Sequence, residues 1–144
     1  MAFNFEDNKK DATVLLHTVA NELQTDDLNK AGRIFRAVLH AIRDRLHLHE
    51  AVHFASQLPI IWKGIFFDQY EPDKVPVKIR DSDEWVNYIR NKNAYAANND
   101  FLLDDEIMFS FRAVFAALQK SISEGPLQLV KESLNQEIQE QLEV

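Results

Sequence analysis

The sequence predicts an all-α fold, a duplicated four-helix unit packed as one compact helical domain over residues 1–144 with pseudo-two-fold symmetry. Three observations carry this. Apolar residues recur at the three-and-four spacing of a helical face. Punctuation is sparse, with three Gly and four Pro in 144 residues that are 46% hydrophobic, too little for many short strands. Finally, one tetrapeptide occurs inside both of the longest predicted helices.

The first helix is predicted over about Asp7 to Leu23, because Ala12, Leu15, Leu16, Val19, Ala20 and Leu23 share a face. Asp26 and Asp27 supply acceptors and negative charge to open the second, where amides lack partners and the dipole is positive. Its core face reads Leu28, Ala31, Phe35, Val38, Ile42 and Leu46, flanked by Ile34 and Leu39. A short third helix spans about Glu50 to Gln57 and stops near Pro59, which has no amide proton. The fourth starts at about Pro59. With Ile60, Ile61, Trp62, Ile65, Phe66 and Phe67 it is apolar all round and is expected to be the most buried element.

Residues 71–80, with Pro72 and Pro76, read as a linker, with a short extended stretch but no evident partner strand. Asp81 or Ser82 caps a fifth helix through Trp85, Val86 and Ile89, and Ala96 to Asp100 forms a second loop. Asp104, Asp105 and Glu106 open a sixth through Ile107, Phe111, Val114, Phe115, Leu118 and Ile122. Gly125 and Pro126 start a seventh, proline being suited to a first helical turn. An eighth covers about Gln136 to Glu143.

Displacing the chain by 76 positions lays Phe35-Arg36-Ala37-Val38 on Phe111-Arg112-Ala113-Val114. Without a gap, Ala41 meets Ala117, Leu46 meets Ile122, Phe54 meets Val130, Leu58 meets Leu134 and Phe66 meets Leu142. Agreement across two predicted helix boundaries argues for half-repeats of approximately 5–70 and 81–144, with the Leu58 to Phe67 element near their axis. The competing explanation is that two amphipathic helices of one period align this well by chance.

The run Phe35-Arg-Ala-Val-Leu-His-Ala-Ile-Arg-Asp-Arg-Leu46, then Glu50-Ala51, His53, Gln57-Leu-Pro59 and Gly64-Ile-Phe-Phe67, resembles a bacterial family catalogued as domain of unknown function 2267. The resemblance is densest from Ala31 to Tyr70. It implies an all-helical, duplicated domain and supplies no activity, cofactor or catalytic residue. Where the family pattern tends to be acidic, this chain has His49.

That residue creates His49-Glu50-Ala51-Val52-His53, a match to H-E-x-x-H, in which two His one turn apart ligate zinc and the Glu is a general base. A metal-dependent hydrolase needs a third ligand as well, and the downstream H-x-x-G-x-x-H pattern is absent. Glu50 has an ordinary role at a helix start, and the corresponding second-half residues are Gly125, Pro126 and Leu129. The Glu-x-x-His spacing of di-iron bundles occurs once, where two are needed.

A second constellation is a stripe on the second helix. Arg33, Arg36, His40, Arg43 and His47 are spaced three, four, three and four, so they share a face away from Phe35, Val38 and Ile42. Such a face suits an acidic partner helix or a small anionic, nucleotide-like ligand. The plainer explanation is a solvated exterior partly paired with Asp44. Only Arg36 is repeated in the second half, opposite Arg112, so the stripe is not demanded by the fold. Trp62, Phe66, Phe67 and Tyr70 are read as core in preference to an exposed groove.

Composition bounds the rest. No cysteine means no disulfide, thiolate nucleophile or Cys-ligated metal. A net charge of −7 makes nucleic acid an unexpected partner. No apolar stretch approaches the about 20 residues that span a bilayer, and residues 1–10 lack a secretory apolar run. The expectation is a cytoplasmic, non-enzymatic module without a cofactor, binding a protein partner or a second copy of itself through the basic stripe.

Overall fold

The computed structural model describes residues 4–93, 95, 99–100 and 103–142. Among them the regular structure is helical: α1 Phe5–Leu23, α2 Leu28–Asp44, α3 Leu48–Ala55, α4 Ile60–Phe67, α5 Ser82–Asn91, α6 Asp104–Ser121, α7 Glu124–Ser133 and α8 Gln136–Leu142. A single 3-10 turn, Pro72–Lys74, interrupts the linker. None of these helices is long and apolar enough to cross a membrane.

Local chemistry sets the boundaries. Asn4 opens α1 by accepting from the Glu6 amide at 2.9 Å, and Gln24 closes it in the left-handed region at φ 59°. Asp27 opens α2 through the Lys30 amide at 3.1 Å, and Asp81 opens α5 through the Glu84 amide at 2.8 Å. The start of α6 works differently. Leu103 holds the cap position without a side-chain bond, so Asp104, Asp105 and Glu106 act in the first turn through their charge on the dipole. The predicted loop at 96–100 lies outside the described residues except for Asn99 and Asp100.

One apolar cluster runs through the molecule, from Ala12 and Val19 on α1 to Val130 on α7 and Ile138 on α8. Phe35 packs on Trp62 at 4.4 Å between ring centres, and Trp85 meets Phe111 edge-on at 5.3 Å. Helix α1 lies against α2, α4 and α6, while α5 lies against α6, α8 and α2. Leu28, Leu48 and Ile60 open α2, α3 and α4, and the residues 76 positions later, Asp104, Glu124 and Gln136, open α6, α7 and α8.

One expectation is corrected. Helix α4 is not the most buried element: Trp62 and Phe66 are buried, but Ile60 and Ile61 are 61% and 41% exposed. Its eight residues pack chiefly on α1 and α2, with Phe66 stacked on Phe54 of α3, and leave the start of the helix uncovered, so apolar composition overstated burial. Helix α2 takes the central place instead, and from Ala37 to Asp44 every residue is buried. Among the described residues the linker forms no strand pair. Its Val77 amide donates to the Asp44 carbonyl at 2.7 Å, and Arg45 donates to the carbonyls of Val77 and Ser133, fastening linker and α7 to the end of α2.

Candidate functional site

The burial of α2 divides the basic stripe: His40 and Arg43 turn inward, Arg33 and Arg36 are half-buried and His47 is exposed. His40 is 1% and Arg43 2% exposed. His40 Nε2 lies 2.7 Å from the Ile65 carbonyl oxygen, and since a carbonyl only accepts, that nitrogen carries the proton. Arg43 donates through Nη1 to the carbonyls of Phe66 and Asp68, both at 2.9 Å, and its guanidinium stands over the Tyr70 ring at 5.1 Å. Arg36 reaches the Asp68 carboxylate at 2.5 Å.

These three residues therefore grip the C-terminal end of α4. A helix leaves its last carbonyls short of intrahelical donors and carries partial negative charge there, so the Arg43 guanidinium answers both deficits and the His40 N–H the first, while Arg36 holds the Asp68 side chain. Farther up, Arg33 makes a two-pronged bond to the Asp100 carboxylate, Nε to Oδ2 at 2.8 Å and Nη2 to Oδ1 at 3.0 Å, with Tyr95 beneath at 4.6 Å. Exposed His47 sits at the start of α3, where its amide donates to Glu50 Oε1 at 2.9 Å.

Behind the grip lies a charged cluster that periodicity did not reveal. Asp44 accepts from Arg43 Nε at 2.8 Å and from the Tyr88 hydroxyl at 2.5 Å, and Lys92 Nζ lies 2.7 Å from its Oδ2. Burial pushes the Asp44 carboxyl up, but bonds from Arg43, Lys92 and Tyr88 outweigh it and hold the pKa below its ordinary value. Tyr88 is pushed well above the usual phenol range, by burial first and then by Asp44. Burial also dominates at His40, whose pKa falls to about 4; the Ile65 bond opposes this, and Arg43, Arg36 and Lys92 add to it. Adjacent opposite charges at Arg43 and Asp44 were the available signal, but their partners, Tyr88 on α5 and Lys92 just after it, lie 44 and 48 residues away from Asp44.

The H-E-x-x-H residues are arranged differently from a catalytic centre. His49 and His53 are exposed on α3, whereas Glu50 is engaged with the His47 amide as part of the helix start. Among the described residues no group of three or more His, Asp or Glu is placed to hold a metal ion. The helix presents two imidazoles one turn apart, without the third protein ligand that metal-assisted hydrolysis requires.

Residues 13–141 match the family described as Uncharacterized conserved protein (DUF2267). The chain belongs to this family. No curated protein matches it. In this DUF2267 chain the matched span begins inside α1 and ends inside α8, so the grip on α4, the Asp44 cluster and the two exposed histidines all lie within it.

One surface depression remains near exposed apolar groups. A cavity of about 350 Å³ lies where α1 passes the α3–α4 connection and the end of α6, lined by Asp11, Val14, Thr18, Pro59, Ser121 and Ile122 among others. Val14 is 58% exposed, and Ile60 and Ile61 follow directly on Pro59.

Proposed function

We propose that this DUF2267 chain is a non-enzymatic helical module of a bacterial cytoplasm that acts by binding another protein. The observation that carries this reading is the cavity between α1 and the α3–α4 connection, whose wall includes Val14 at 58% exposure and Pro59, the residue directly before exposed Ile60 and Ile61. Single exposed apolar residues are ordinary, whereas several gathered beside a concave surface favour a docking site. Asp11 on the wall, Glu6 and Asp7 on the same helix, and a net charge of −7 select a partner segment that is apolar on one side and basic at its flanks.

This reading moves the docking surface away from the basic stripe, in which His40 and Arg43 are buried and Arg33 and Arg36 are paired with carboxylates. The same fact weakens an anionic-ligand role, since Arg33 and Arg36 are committed to Asp100 and Asp68. A hydrolase reading would need Glu50 as a base, and Glu50 is engaged at the start of α3. The absence of cysteine fits a reducing, cytoplasmic setting. We also read the chain as a duplicated unit, supported by helix starts and packing partners that recur 76 residues apart.

The test uses a synthetic amphipathic helix of Leu and Lys, followed by fluorescence anisotropy. The wild-type chain should bind it, and Val14→Asn combined with Ile61→Asn should weaken binding by about tenfold or more. Asp11→Asn should weaken it less. No binding by the wild type, or equal binding by the apolar double variant, would overturn the reading, the latter by reducing it to non-specific charge attraction.

A further inference from the structure

Helix α3 presents a second surface, separate from the cavity. Ala51, Phe54 and Ala55 are its buried residues. Outward, Leu48 and Val52 are each 52% exposed, and His49 and His53 are exposed beside them. Both pairs are four residues apart, so the surface carries two adjacent rows, one apolar and one of imidazoles. The Glu50 bond to the His47 amide, at 2.9 Å, fixes the first turn and so the spacing of His49 and His53.

Two imidazoles one helical turn apart are half of a tetrahedral coordination sphere for a borderline divalent metal such as zinc. Among the described residues nothing supplies the other half. A second copy related by a two-fold axis supplies it, because a two-fold contact repeats the same surface on both partners. The same contact covers Leu48 and Val52 on each chain, which single chains leave in water.

We propose that α3 is a metal-bridged self-association site, in which His49 and His53 from two copies share one zinc ion and Leu48 and Val52 close the contact around it. The site is incomplete in one chain and complete in two. Zinc lies between neutral imidazoles, needs no redox step, and acts as a structural ion with all four positions filled. A hard cation such as magnesium, which prefers oxygen ligands, does not substitute.

The test is sedimentation velocity on the tag-free full chain with half an equivalent of zinc chloride, with excess chelator, and with magnesium chloride, alongside metal content of the sedimenting species. The expected result is a doubling of molecular mass with zinc, one zinc per two chains, reversal by chelator and no response to magnesium. His49→Ala and His53→Ala, both at exposed positions and checked by circular dichroism, should each remain monomeric with zinc. Replacing Leu48 and Val52 together by Asn should raise the zinc concentration needed by several-fold. A zinc-loaded monomer, absence of zinc binding, or a dimer indifferent to chelator or to both histidine variants would overturn the proposal. None of these outcomes bears on the cavity, whose Val14 and Ile61 variant should dimerise with zinc as the wild type does.

Discussion

The C-terminal ends of α2 and α6 occupy equivalent positions 76 residues apart, yet they solve different problems. At the end of α2, Arg43 and Asp44 are buried beneath α4, the segment after it and α5. At the end of α6, the corresponding Gln119 and Lys120 are exposed, and Lys120 pairs with Glu22 across solvent. The periodicity of the two helices is alike. What differs is the cover, and cover rather than helical phase decides whether a polar side chain becomes a structural tie or a solvated one. Arg112, the counterpart of Arg36, keeps a reduced form of the grip by donating to Gln141 of α8 at 3.1 Å.

The largest effect should come from breaking the buried side of this comparison. Arg43→Ala removes the donors to the Phe66 and Asp68 carbonyls and takes a partner from buried Asp44; by urea unfolding it should cost about 3–5 kcal/mol. Gln119→Ala at the equivalent site should stay within about 0.5 kcal/mol. Replacing Arg43 by Met and Asp44 by Leu together should cost clearly less than the two single changes summed, because neither leaves the other's charge unpaired. Additivity in that cycle would mean the two side chains are not coupled.

A smaller effect is expected from pH. The folded-state pKa of His40, about 4, lies below the unfolded value of about 6.5, so the unfolded chain takes up a proton first as pH falls. Stability is therefore full above about pH 6.5 and declines as pH drops toward about 4, by on the order of 3 kcal/mol. Asp44, whose pKa is lowered, extends the loss below that window as its carboxylate is protonated. His40→Gln keeps a donor for the Ile65 carbonyl and should flatten the slope between pH 6.5 and 4; an unchanged slope in thermal midpoints would assign it to other groups. Smallest of all, Lys120→Ala should cost under about 0.5 kcal/mol, since its ion pair with Glu22 is exposed.

Much of the fold was legible in the residues. Asp27 and Asp81 open helices as side-chain acceptors do, Pro59 separates α3 from α4, and the apolar faces of α1, α2 and α6 lie in the core. Of the stripe, Arg36, His40 and Arg43 converge on the end of α4. Its direction was not legible, because spacing states which residues share a face and not what lies opposite. Helix α4 supplies that cover, and its partners Ile65, Phe66 and Asp68 contribute main-chain carbonyls or a lone carboxylate that no motif announces. Asp100 and Lys92 were hidden for the same reason, being distant in sequence from Arg33 and Asp44.

The central claim is that Arg36, His40 and Arg43 of the stripe grip the end of α4. Native-state hydrogen exchange on Arg43→Lys tests it most directly, because lysine keeps the charge but loses the planar fork that serves Asp44 and two carbonyls at once. The expected result is faster exchange at the Asp68 and Tyr70 amides, which bond to the Ile65 and Phe67 carbonyls, with protection in α6 and α7 unchanged. Protection equal to wild type at Asp68 and Tyr70, or a uniform loss across all helices, would contradict it.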